Sequence, residues 1–215
     1  MIVEERMTSY INSLDRGNTP FLNQLEQEAL ASFVPIIRRE TQSLLKFLLA
    51  LKKPQRILEV GTAVGFSTIL MAEYSPQSTQ IVTIEKYEKR IPIARENIKK
   101  AGMEGRITLL EGDAMEILAE MQDSFDFIFM DAAKAQYIHF FPEVYRLLMP
   151  EGLLISDNVL QDGDIIESKF AVTRRNRTIH KRMRDYLYTL KNYEGLETTI
   201  LPVGDGVTCS VKKQK

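Results

Sequence analysis

The sequence predicts an α/β fold: a central, mostly parallel sheet with helices on both faces, closed at one edge by an antiparallel hairpin. Three observations predict it. Short β-rich runs alternate with helical segments through most of the chain. Those runs are apolar on both faces, as strands of a sheet covered on both sides must be. The last two runs are joined by a tight Gly-Asp-Gly, which suits a hairpin better than a crossover.

The elements follow in order. Residues 21–33, "FLNQLEQEALASF", have helical spacing and stop near Pro35. In "RETQSLLKFLLALKK" (39–53), Leu44, Leu45, Leu48, Leu49 and Leu51 mark a stronger helix, and Pro54 ends it. These helices make up an N-terminal segment, 1–53. A core of alternating units then runs over 54–215. Its parallel strands are "RILEV" (56–60), "QIVTIE" (80–85), "ITLLEG" (107–112), "FDFIFMD" (125–131) and "GLLISD" (152–157). Helical segments such as "KRIPIARENIKKAG" lie between them and make right-handed crossovers. "LETTILPV" and "GVTCSVKK", joined at 204–206, bring the sheet to seven strands. No repeat or low-complexity linker interrupts the chain, so 1–215 reads as a single domain.

Composition bounds the function classes. A chain of 215 residues suits one well-buried domain, and 44% hydrophobic with 27% charged residues is the ordinary soluble range. The net charge of −1 gives no global argument for a nucleic-acid or membrane partner, so any such case must rest on local charge. The single Cys209 excludes an intrachain disulfide and fits a reducing compartment. "MIVEERMTSY" lacks the apolar core of a secretory signal, and no apolar run is long enough to span a bilayer. A cytoplasmic protein without a membrane partner is the expectation.

In parallel sheets ligands bind beyond the carboxyl ends of the strands. "ILEVGTAVGFST" puts Glu59 and Gly61 at the end of the first strand, with Gly65 opening the next helix. The spacing is E-x-G-x-x-x-G, not the G-x-G-x-x-G that seats a pyrophosphate. A wider loop preceded by an acid suits a ribose and a zwitterionic amino-acid tail. Glu85, ending the second strand, is placed to accept two ribose hydroxyls. Asp113, in "EGDA" after the third, is placed near an adenine amino group. Together these point to S-adenosylmethionine and to a Rossmann-like methyltransferase rather than a dehydrogenase. A glycine-rich turn alone would not.

Asp131 ends the fourth strand, and "LLISDNV" puts Asp157 and Asn158 at the end of the fifth. Neighbouring strands lie ~5 Å apart, so three oxygen-bearing side chains converge on one spot. Two carboxylates that close repel unless a proton or cation lies between them. Carboxylate plus amide oxygen is a hard-ligand set suited to Mg²⁺, Mn²⁺ or Ca²⁺. Read singly, each is an ordinary turn or N-cap residue. The coincidence of both strand ends beside a methyl-donor site favours the metal.

From about residue 35 to the "LPVGDGVT" ending, the sequence resembles the divalent-metal-dependent O-methyltransferases that include the caffeoyl-CoA and catechol enzymes. The resemblance implies Asp131, Asp157 and Asn158 as metal ligands. It implies Lys134 as general base or as a stabiliser of the attacking oxygen's charge, with Asp131 beside it. Glu59, Gly61, Ser67, Glu85, Asp113, Ala114 and Asp131 match positions lining the cofactor, and Ile36 lies where the family packs the methionine end. A homodimer, with the N-terminal helices as interface, is a further implication. A non-catalytic binding protein on the same fold is the contrasting reading, opposed by the joint presence of Asp131, Lys134, Asp157 and Asn158.

The substrate must carry adjacent oxygens: a catechol, a caffeoyl group or a 5-hydroxyuracil. "SKFAVTRRNRTIHKRMRDY" (168–186) contains Lys169, Arg174, Arg175, Arg177, Lys181, Arg182 and Arg184, with His180 and Tyr186, and Arg38 and Arg39 precede the second helix. A basic cluster on a nearly neutral chain is what phosphate contacts need, though a solvated helix face or a CoA-phosphate site would look the same. "VPIIRRETQSLLKFLL" and the Arg-rich stretch resemble the bacterial tRNA 5-hydroxyuridine methyltransferase branch, which implies 5-methoxyuridine formation in a tRNA anticodon loop. Small-molecule catechol or caffeoyl-CoA-type methylation is the alternative.

Overall fold

The computed structural model describes residues 3–168 and 170–214, so Lys169 of the basic stretch lies outside the described residues. Eight α-helices and seven strands are described: α1 (Glu5–Ser13), α2 (Pro20–Ala31), α3 (Arg39–Lys52), β1 (Arg56–Val60), α4 (Phe66–Glu73), β2 (Gln80–Glu85), α5 (Ile91–Lys100), β3 (Ile107–Glu111), α6 (Ala114–Glu120), β4 (Phe125–Met130), α7 (Tyr137–Leu147), β5 (Leu148–Ser156), α8 (Arg177–Asn192), β6 (Leu196–Leu201) and β7 (Val207–Lys212). The sheet order is β3-β2-β1-β4-β5-β7-β6. β1 to β5 pair in parallel, and β7 runs antiparallel between β5 and β6. The seven-stranded sheet and its terminal hairpin are as the alternating pattern predicts. The order reverses between β1 and β4, the switch point where a parallel sheet opens a crevice for ligands.

Side chains of the central strands alternate between two cores. Ile57, Phe127, Phe129 and Ile155 face a layer built from α2, α3 and α4, with Leu22, Leu45, Leu49 and Ile69. Leu58, Ile128, Met130 and Leu154 face a second layer with Tyr137, Phe141, Val144, Met183 and Tyr186 from α7 and α8. Burial on both faces is why the buried positions of these strands are apolar apart from Glu59 and Ser156.

Three differences from the sequence reading have physical causes. The helix α1 was not anticipated: its face carries Met7, Tyr10, Ile11 and Leu14, all exposed, so no buried stripe marked it. β5 begins at Leu148 rather than 152, because a register irregularity lets Leu148 pair with Phe125 before Leu153 pairs with Phe127. The intervening Met-Pro-Glu-Gly reads in sequence as a turn, and Glu151 has φ of 59° there. Finally, much of the basic stretch 168–186 forms α8, where His180 and Tyr186 point into the core.

Leu49 is fully buried beneath the sheet in the α3 layer. Leu49→Ala should destabilise the fold by about 2–5 kcal/mol through lost burial and the cavity left behind. Urea denaturation at constant m-value would measure it.

Candidate active site

The carboxyl ends of β4 and β5 bring Asp131 and Asp157 together, each one residue beyond its strand rather than ending it. Asp131 and Asp157 each lie just past their strands, held by hydrogen bonds from Asp131 N to Val60 O and from Asp157 N to Met130 O, both 3.0 Å. β4 and β5 pair Met130 with Ser156, so the two carboxylates emerge side by side. The buried Tyr137 clamps this junction, its hydroxyl 3.1 Å from the carbonyl oxygens of both Met130 and Asp157. Asn158 follows in the left-handed region, φ 59°, its N–H donating to Asp157 Oδ1 at 2.8 Å.

Two cavities open here. One, about 270 Å³, is lined by Gly61, Glu85, Asp113, Ala114 and Asp131, among others. The other, about 420 Å³, is lined by Ile36, Arg38, Asp131, Lys134, Asn158 and Asp205, among others. They share Ala63, Asp131 and Ala132, so a ligand's reactive end in the first would face the second across Asp131.

In the first cavity, Glu85 Oε2 accepts from Ala63 N at 2.7 Å, and Oε1 accepts from the backbone of Lys86 and Tyr87. Asp113 caps α6 by accepting from Met115 N, which holds its carboxyl below the usual range. Gly61, at φ 104°, leaves no room for a side chain: a Cβ would stand 2.2 Å from the Asp131 carbonyl oxygen. Glu59 and Ser67 do not line either cavity. Glu59 is fully buried under the β1–α4 loop and accepts from the hydroxyls of Ser67, Thr68 and Thr83. Burial pushes it up to about 7 although those three hydroxyls pull it down. Its visible work is to anchor the loop that Gly61 and Gly65 shape.

Burial raises the carboxyls of Asp131, which lines the second cavity, and of Asp157 buried beside it, and Asp131's charge pushes Asp157 further. Lys134, in a single 3₁₀ turn (Lys134–Gln136), is close enough to pull both back down. Asp157 is only 1% exposed, and its Oδ2 has no hydrogen-bond partner. A buried, orphaned carboxylate oxygen beside a second carboxylate and an amide is a donor set that a divalent cation fits.

The expected phosphate-contacting arginines divide. Arg38 is committed to Asp162 at 2.9 Å and Asp205 at 2.7 Å rather than offered to solvent. Arg39 stands 3.7 Å from Glu26 with its side chain largely exposed. Arg174, Arg175 and Arg177 are exposed, Arg177 lying over the Phe170 ring. Arg182 donates to Ala135 O at 3.2 Å, tying α8 to the turn that carries Lys134. Sequence reasoning missed Asp205 as a site residue; the Gly-Asp-Gly that contains it reads as a hairpin turn and nothing more.

An O-methyltransferase family profile matches residues 12–213. The chain belongs to the O-methyltransferase family. Within it, the chain is 35% identical over 127 residues to a catechol O-methyltransferase of Niastella koreensis, a match covering 57% of this chain and 58% of that protein. It is 32% identical over 170 residues to a caffeoyl-CoA O-methyltransferase of Populus kitakamiensis, covering 76% and 72%. The SAH-bound Podospora anserina methyltransferase superposes with a TM-score of 0.88 at 28% identity, covering 98% of this chain and 95% of that one. The seven-stranded Rossmann-like sheet is thus the fold of this O-methyltransferase family.

Three outcomes follow. Gly61→Ala should destabilise by about 1–3 kcal/mol from positive-φ strain, with the Asp131 clash in addition, read by urea denaturation. Glu59, Asp131 and Asp157 all hold protons more tightly folded than unfolded. Their contribution is present in full below the unfolded values, 3.8 for the aspartates and 4.5 for Glu59, and is lost as pH rises towards about 7. The metal-free protein's Tm should therefore fall between those pH values. Mn²⁺ should bind more tightly, with proton release, across the same range, as isothermal titration in buffers of different ionisation enthalpy would show.

Proposed function

We propose that this O-methyltransferase transfers a methyl group from S-adenosylmethionine to one of two vicinal oxygens on a substrate gripped by a divalent cation. The observation that carries it is Asp131 on the wall common to two cavities, with Lys134 and Asn158 lining the larger one and the orphaned Asp157 carboxylate emerging beside Asp131. Cofactor use is supported by the SAH in the Podospora structure and by the acids Glu85 and Asp113 in the smaller cavity. Asp131, Asp157 and Asn158 would hold the cation, which supplies Lewis acidity to lower the pKa of a chelated hydroxyl. Lys134 accepts the hydroxyl proton or, kept protonated, stabilises the oxygen's negative charge. Gly61 and the Glu59-anchored loop set the donor's position, and Asp131, facing both cavities, aligns the nucleophile with it.

A catechol or caffeoyl-type small molecule is the substrate class supported by the names of the two relatives. A second reading, 5-hydroxyuridine in a tRNA anticodon loop, is favoured by one observation: α8, which packs on the Lys134 turn, presents Arg177 and Lys181 outward just after Arg174 and Arg175. Arg38, being paired, adds nothing to that reading.

Asp157→Ala should lower methyl transfer by a hundredfold or more, since a transition-state contribution of ~3 kcal/mol corresponds to that factor, while S-adenosylmethionine binding is kept; unchanged turnover would refute metal assistance. Assayed with catechol, caffeoyl-CoA and 5-hydroxyuridine tRNA side by side, the protein should prefer the small molecules. Preference for tRNA, weakened and made less salt-dependent by Arg174→Ala with Arg175→Ala, would establish the second reading instead.

A further inference from the structure

Asp205 occupies the Gly-Asp-Gly turn between β6 and β7, yet it lines the same cavity as Asp131, Lys134 and Asn158. Its backbone is fixed relative to the segment that follows Asn158. Leu160 N donates to Asp205 O at 2.9 Å, and Val159 N donates to Gly206 O at 2.9 Å. The flanking glycines permit this approach: a Cβ on Gly206 would stand 2.2 Å from Leu160 Cγ, and one on Gly204 2.8 Å from Thr41 Oγ1. The turn is built to press one carboxylate against the end of β5.

There Asn158 Nδ2 donates to Asp205 Oδ2 at 3.3 Å. The opposite Asp205 oxygen lies 2.7 Å from the Arg38 guanidinium, which supplies the countercharge. An asparagine amide has one donor end and one acceptor end, and only its oxygen can ligate a cation. An ionised carboxylate only accepts, so its presence decides which way the amide turns. Metal ligands are ordinarily oriented by such outer partners, whose loss weakens binding roughly 10–100-fold.

We infer that Asp205, braced by Arg38, is the positioning residue that turns the Asn158 amide oxygen toward the cation. The inference rests on the metal site of the proposed function and adds to it a residue from the C-terminal hairpin and one from the start of α3. It also gives Arg38 a role other than gripping phosphate.

Mn²⁺ titration of the S-adenosylmethionine-free protein, followed by the paramagnetic resonance of free Mn²⁺, tests it without any turnover. Asp205→Ala should weaken Mn²⁺ binding about 10–100-fold while S-adenosylmethionine affinity stays as in the wild type. Asp205→Asn, which keeps an acceptor oxygen, should recover most of that loss. In an Asn158→Ala background, Asp205→Ala should cost nothing further, because the group it orients is gone. Asp205→Leu, of the same branched shape and unable to accept, replaces the alanine variant if that one does not fold. Binding within twofold of wild type for the alanine or leucine variant overturns the inference. So do losses that multiply in the double variant, which would make Asp205 a direct contact of the cation. If the wild type binds no Mn²⁺ at all, the metal reading falls and this inference falls with it.

Discussion

The closeness of two ionisable carboxylates, forced by the pairing of β4 with β5, is the constraint around which the site is arranged. A parallel register that sets Met130 beside Ser156 leaves Asp131 and Asp157 no choice but to emerge together. Desolvation and mutual repulsion make that arrangement unfavourable in the absence of positive charge. Lys134 supplies part of that charge from its 3₁₀ turn, and the orphaned Asp157 oxygen marks where more would be accommodated. The surrounding polar contacts hold the pair in place. Tyr137 bridges the two strand ends, Thr41 Oγ1 stands 3.4 Å from Asp157 Oδ1, and α8 anchors the Lys134 turn through Arg182.

The same logic explains a division of labour among the acids. Glu59 is buried and sheathed in hydroxyls, so its effect is on the loop above it. Glu85 and Asp113 are tied to backbone N–H groups, which fixes their orientation while leaving them on the wall of the smaller cavity. Of these acids, Asp131 alone borders both cavities. Methyl transfer needs donor and acceptor held in line at contact distance, and a shared wall is the simplest way to make one placement depend on the other.

Much of this could be read from the chain. Apolar runs at β1 and β2 have the boundaries that their composition predicts, because burial on both faces leaves a strong signal, and β4 stops one residue short of its predicted end. The acids at strand ends were legible for a topological reason: a parallel sheet collects its ligands at one edge. What escaped depended on partners distant in sequence. Arg38 looks like any exposed arginine until Asp162 and Asp205 are seen against it, more than a hundred residues away. His180 and Tyr186 look like members of a basic surface until the helix phase of α8 turns them inward. Helix α1 gave no signal because its apolar side chains face outward, beside a groove of about 740 Å³ that also contains Phe47 and Val203.

The hairpin β6–β7 began as a device for closing a sheet edge. Since its turn delivers Asp205 to Asn158, the order of synthesis takes on a meaning for the site. A chain emerging from its N-terminus completes the five parallel strands, with Asp131, Lys134, Asp157 and Asn158 in place, before the hairpin exists. Until β7 inserts beside β5, the asparagine amide is free to turn either way and Arg38 lacks one of its two carboxylates. If Asp131, Asp157 and Asn158 hold a cation as proposed, that site would be completed last, and ligation would report that the final strand has docked.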